Sequence, residues 1–176
     1  VVTADIGNRL QPALLDRLTD DARDTRQEHG EHRVMSKAQL RQAVLRDLSA
    51  LFNAVQPLGA EAAGYPLLAQ SVLNYGLPPL SGQLASRLDV SVLERLIREA
   101  IVRYEPRILP ETLQVRALEA TSVLDTHNVI EFEIRGHLWS QPVPLEILLR
   151  TQLDLEAGQV EVRDAAAIRP PLERFQ

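Results

Sequence analysis

The 176-residue chain contains no cysteine. That absence rules out a disulfide framework and a thiolate metal site, and it points to a reducing, cytoplasmic compartment. Aromatic residues make up only 4%, so Leu, Ile, Val and Ala must do most of the packing. No apolar run approaches the roughly 20 residues of a membrane span, and neither direct membrane insertion nor a secretory signal is expected. The first residue is Val1 rather than Met, so a longer natural N-terminus is expected. Long blocks of positive charge are also missing: the net charge is -5 with both signs interspersed. Nucleic-acid binding depends on concentrated Lys and Arg, so proteins are the expected partners. No GxSxG, P-loop, GxGxxG or HExxH-type pattern occurs, which leaves a nucleophile elbow, a nucleotide cradle and a zinc helix without support. No cofactor and no metal are expected.

What is present is 45% apolar residues, near the globular norm, in a chain long enough to bury a core. The segment Pro12 to Leu18 is short and amphipathic, with Leu14, Leu15 and Leu18 as its apolar residues. It runs into Thr19 to Arg33, a stretch with no apolar residue larger than alanine, which reads as a linker. An apolar cluster ahead of a polar tether suits a docking peptide, and leucines folded back on their own domain are the alternative. Residues 1–33 are thus expected to form a docking segment and linker, 34–165 the domain, and 166–176 a loose tail.

Two main helices are expected. Ser36 and Gln39 have the spacing of a capping box, and Leu40, Val44, Leu48, Leu51 and Val55 recur on one face until Pro57 and Gly59. Residues 60–81 read as irregular, with a helical turn near Leu67 to Leu73. Ser91 and Glu94 suggest a second capping box, followed by Leu93, Leu96, Ile97, Ala100, Ile101 and Tyr104 at helical spacing. Pro106 disfavours helix at Glu105. From Thr112 the period becomes two, in runs around Val115, Phe132 and Thr151, and Glu156-Ala157-Gly158 turns the chain into Val160 and Val162. Helices followed by about three to four antiparallel strands make an α+β domain.

Chemistry-bearing residues are few. Glu131 and Glu133 sit two apart on one strand, about 6.5–7 Å between Cα atoms, near the carboxyl separation of an inverting glycosidase. Alternation produces the same pair on any solvated strand face, so catalysis there is disfavoured. His29 and His32 fall in the polar tether, and His127 and His137 flank one strand at a separation too great to share a metal through it. Two other segments are unusual. Ser71-Val72-Leu73-Asn74-Tyr75-Gly76-Leu77-Pro78 joins an aromatic and an amide to a glycine hinge, as a loop with one fixed path would. Glu105-Pro106-Arg107 sets opposite charges around a proline that stiffens the corner between helix and strand, presenting both to a partner.

Those two segments resemble the hallmark segments of the TssE-like subunits of type VI secretion baseplates, within the wider group of phage baseplate wedge proteins often labelled gene-25-like lysozyme. Leu14 to Asp20 looks like that family's N-terminal segment, Ala43 to Leu48 like its first helix, and Arg150 to Gly158 like its last hairpin. Five segments in the same order cover nearly the whole chain. Tyr104 and Ile108 depart mildly, standing where the family more often has Phe and Leu. The resemblance implies a gene-25-like fold and a structural role. Such a protein contacts other baseplate wedge subunits and templates polymerisation of contractile sheath subunits, from a cytoplasmic baseplate docked at the inner membrane. Partner contacts are expected at Glu105, Pro106 and Arg107, at Asn74, Tyr75 and Gly76, and at Leu14, Leu15 and Leu18. An exposed edge of the sheet could also accept a partner strand. A peptidoglycan hydrolase and a small cytosolic regulatory adaptor are the competing readings.

Overall fold

A computed structural model describes residues 13–18, 35–58, 64–80, 89–118 and 129–165. The polar linker, His29, His32, His127 and the C-terminal tail lie outside these residues. In chain order the elements are α1 (Leu14–Leu18), α2 (Lys37–Asn53), α3 (Pro66–Ala69), a 3-10 turn (Val72–Asn74), α4 (Val90–Tyr104), a second 3-10 turn (Pro110–Thr112), and strands β1 (Gln114–Ala117), β2 (Val129–Leu138), β3 (Leu145–Asp154) and β4 (Gln159–Asp164). The strands form one antiparallel sheet in sequential order. The α+β expectation therefore holds, with four strands.

One face of the sheet carries the core. Phe132, Ile134 and Leu138 of β2 and Ile147, Leu149 and Leu153 of β3 are buried. Against them pack Leu40, Val44, Leu48 and Leu51 of α2 and Leu93, Ile97 and Ile101 of α4. Alternation places Glu133, Arg135 and Arg150 on the opposite, open face. Burial of the larger aliphatic side chains, each stabilising by about 1.5–3 kcal/mol, does most of the work of holding the helices to the sheet, with Phe52 and Phe132 the buried aromatics.

Local signals behave unevenly. Ser36 caps α2 as expected, its hydroxyl accepting from Gln39 N and its own N–H donating to the Gln39 side chain. α4 does not begin at the expected box. Asp89 is the N-cap, accepting from Ser91 N at 2.9 Å, while the Glu94 carboxylate accepts from Ala117 N of β1 at 2.7 Å. Glu94 serves tertiary structure instead of its own helix. α2 also ends earlier than Pro57 and Gly59 suggest. Ala54 turns extended, its carbonyl accepts from Leu77 N, and Val55 leaves the helical core face to stand exposed. His137 lies within β2, so it does not flank the strand.

Candidate functional site

The two unusual segments meet in the structure. Tyr104 is the last residue of α4, directly before the Glu-Pro-Arg corner. Its hydroxyl lies 2.8 Å from the Asn74 carbonyl and 3.1 Å from the Ser71 carbonyl. Its ring meets Tyr75 edge-on, with centroids 5.2 Å apart. The Tyr104 hydroxyl forms a link that phenylalanine would lack.

Within the loop, each expected contact residue has a structural duty. Gly76 adopts φ +119°, and a Cβ there would lie 2.3 Å from the Ala54 carbonyl oxygen, so no other residue fits without movement. The Gly76 carbonyl accepts from Gln56 Nε2, and Leu77 bridges to Val55. Asn74 is buried and donates to the Ala69 carbonyl. Burial raises the Tyr75 hydroxyl above its ordinary pKa, and the nearby negative charges of Asp47 and Glu105 add to the shift.

At the corner, Glu105 follows α4 with its N–H bonded to Ile101. Its side chain is 3% exposed, which corrects the expectation that both charges are presented. The chain bends at Pro106 so that Arg107 folds back. Arg107 Nε donates to Glu105 Oε1 at 2.6 Å, and its Nη2 donates to the other carboxylate oxygen and to Asp47 Oδ2 of α2. Asp47 also accepts from Arg46, which reaches Asp16 of α1 at 2.6 Å. Charges alternate along the series Glu105, Arg107, Asp47, Arg46, Asp16. Burial alone would lower Arg107 and lift Asp47, but the hydrogen bonds and opposite charges outweigh it. Arg107 is thereby raised and Asp47 held below the usual carboxylate range. The corner is a charge lock spanning three helices.

α1 is tied to α2 through the Arg46–Asp16 arm of this lock. Asp16 is nearly covered, while Leu14, Leu15 and Leu18 are exposed. The alternative, leucines folded back on their own domain, is not what these exposures show.

Both sheet edges carry side-chain caps. On β1, Glu94 takes the Ala117 N–H. On β4, the Asn53 carboxamide pairs with Val160 as a neighbouring strand would, donating to its carbonyl at 2.8 Å and accepting from its N–H at 3.0 Å. Sequence reasoning missed the roles of Asp47 and Asn53 and gave Glu94 a different one. Their partners lie 60, 107 and 23 residues away.

The two strand carboxylates singled out in the sequence are both engaged. Glu131 accepts from Gln152 at 2.6 Å, and Glu133 faces Arg135 at 3.6 Å. A shallow groove beside β4, about 540 Å³, contains Asp154 and Glu161. Asp154 caps the β3–β4 turn, and Glu161 is bidentate with Arg163. Among the described residues no group of side chains is arranged to hold a metal ion.

The sequence model of a family described as baseplate wedge protein gp25 matches residues 38–143. The chain belongs to that family. The matched span is more than half of the chain and contains the loop and four members of the charge lock, Arg46, Asp47, Glu105 and Arg107, whereas Asp16 with α1, and β3 and β4, lie outside it. Baseplate wedge membership is a structural role, with other baseplate components as partners. No curated protein and no solved structure matches the chain. No helix among the described residues is long and apolar enough to cross a membrane.

Proposed function

We propose that the chain is a TssE-like baseplate wedge subunit of a type VI secretion system, which docks neighbouring wedge subunits and templates polymerisation of the contractile sheath. In this reading it acts in the cytoplasm, in a baseplate docked at the inner membrane, and it is not an enzyme. The observation that supports the proposal is the close approach of the two segments that resemble the family's hallmarks, joined through Tyr104 and tied to α2 by Arg107. The roles within these segments divide. Pro106 and the exposed part of Arg107 meet the partner, while Glu105, Asn74, Tyr75 and Gly76 hold their shape. Leu14, Leu15 and Leu18 of residues 1–33 form a docking helix ahead of the domain at 34–165, and 166–176 form a tail. For strand addition we assign the β4 edge, which is longer than β1 and capped at Val160 by a single carboxamide.

The test is sheath assembly in cells, with Arg107→Ala and Arg107→Lys compared at matched levels of folded protein. Loss of sheath tubes in the alanine variant at equal folded protein is the expected result. Normal assembly there would remove the corner from the docking surface. The hydrolase reading gains nothing from Glu131 and Glu133, whose carboxylates are engaged on an open face, and sustained muropeptide release from sacculi would be needed to revive it. Co-purification with regulators or proteases, and not with wedge subunits, would favour the adaptor reading.

A further inference from the structure

Residues 65–73 bring four large exposed apolar side chains together within nine positions. Tyr65, Leu67, Val72 and Leu73 are 67, 86, 79 and 65% exposed. Together they leave on the order of 400 Å² of apolar surface uncovered, the size at which an exposed patch marks an interaction site. The segment is held firmly. Ser71 N and Oγ both bond to the Leu68 carbonyl, Asn74 N bonds to Ser71, Arg103 Nη1 reaches the Ala69 carbonyl, and Tyr104 clasps the turn. Asn74 Oδ1 is buried without a hydrogen-bond donor. A loop selected only for its own stability would shed such an arrangement.

Beside the segment runs a shallow groove of about 320 Å³, lined by Gln70, Arg98, Glu99, Val102 and Arg103. Val102 places an apolar side chain in it. Arg98 and Arg103 outnumber the one carboxylate, Glu99, which faces Arg95 at 3.9 Å. The segment lies in no strand, and its turn carbonyls already accept hydrogen bonds, so recognition by strand pairing has little to work with. Side chains must do it, which is the helix-in-groove mode.

We infer that Tyr65, Leu67, Val72 and Leu73, with the groove along α4, form the docking surface for an amphipathic helix of another baseplate subunit, whose apolar stripe is flanked by carboxylates. The apolar knobs supply the burial and the two arginines set the orientation. In the hallmark loop, then, the contacts are made by Val72 and Leu73, while Asn74, Tyr75 and Gly76 support them. This inference rests on membership of a baseplate and not on sheath templating.

The experiment places a photo-crosslinking amino acid at position 73 of the full chain, in cells that carry the other baseplate subunits but no sheath protein. A crosslink to another baseplate subunit, mapped to a helical segment bearing Asp or Glu, is the expected result. The double variant Leu67→Ser with Leu73→Ser should reduce co-purification with that subunit at least tenfold and leave the melting temperature unchanged, while the control Val143→Ser leaves both unchanged. Crosslinking only to a second copy of this chain, mapping to a strand or a basic segment, or absence of any crosslink would each overturn the proposal. The templating reading fails separately, if sheath does not assemble on the wild-type chain once sheath protein is restored while the crosslink persists.

Discussion

The Glu-Pro-Arg corner and the loop at 65–76 sit side by side and do opposite things with their side chains. The corner is rich in charge, yet its charges are spent on one another: Glu105 is buried beneath Arg107, which is itself held by Asp47. The loop contains the residues that ordinarily enter a core, yet Leu67, Val72 and Leu73 face outward. Side-chain type alone would have assigned the two surfaces the other way round. What decides is what lies across from each segment. Asp47 on α2 gives the corner its counter-ion and is itself paired with Arg46, whereas Tyr104 and Arg103 hold the loop by its backbone carbonyls and leave its side chains out.

The strongest way to break this contrast is Arg107→Ala. It strands the Glu105 carboxylate, almost without solvent, and removes one of two cations from Asp47. Breaking a buried pair from one side costs about 3–5 kcal/mol, and the low end is expected because Asp47 and Arg107 keep some contact with water. Urea unfolding should show an unfolding free energy lowered by about 3 kcal/mol, with Arg107→Lys in between. A variant as stable as wild type would mean that the corner is not locked. It also follows that sheath loss in this variant reports on docking only after folded protein has been measured.

Tyr104→Phe comes next, and it separates the loop from the corner. Two carbonyls share the hydroxyl, and a net hydrogen bond contributes about 0.5–1.5 kcal/mol. A loss of about 1 kcal/mol is expected, with faster amide exchange at Asn74 and Tyr75 and no change at Ile108. Equal loosening of both segments would show that they move as one unit and would blunt the comparison.

Much of the fold was legible because its causes are local. The Ser36 capping box, the helical spacing of Leu93 to Ile101, the two-residue period of β2 and β3, and the turn at Gly158 each depend on residues within a few positions. The Ser91–Glu94 box was misread for the complementary reason. Its spacing is correct, but the Glu94 carboxylate is taken by Ala117, a partner that exists only once β1 is in place. The two unusual segments stand out in the sequence, but their arrangement does not. Asp47 is 60 residues from Arg107, and no periodicity announces that pair. The exposure of Leu67 and Leu73 was equally hidden, since an apolar residue carries no mark of the side it will face.

Acidification probes the lock more gently. The Asp47 carboxyl titrates below its ordinary value of 3.8 in the folded chain, so on lowering the pH the unfolded chain takes up that proton first. The contribution is therefore full above the unfolded-state value and is lost as the pH falls through the lower folded-state value. The unfolding midpoint of Asp47→Asn should lie below wild type at pH 6, and the gap should narrow below pH 4. A gap that stays constant with pH would assign the effect to packing rather than charge.

The smallest effect on stability is expected at the loop, and its smallness is the point. Leu67 and Leu73 bury little of themselves against the domain, so Leu67→Ser with Leu73→Ser should change unfolding free energy by no more than about 0.5 kcal/mol. Exposed leucines of this kind give the free chain no stability of their own, and they leave it with a surface prone to nonspecific association. The same variant should therefore elute as sharply as wild type or more so in size-exclusion chromatography at high concentration, while losing its place in the baseplate. A destabilisation approaching that of Arg107→Ala would show that the leucines are part of the core after all, and the difference between the two regions would collapse.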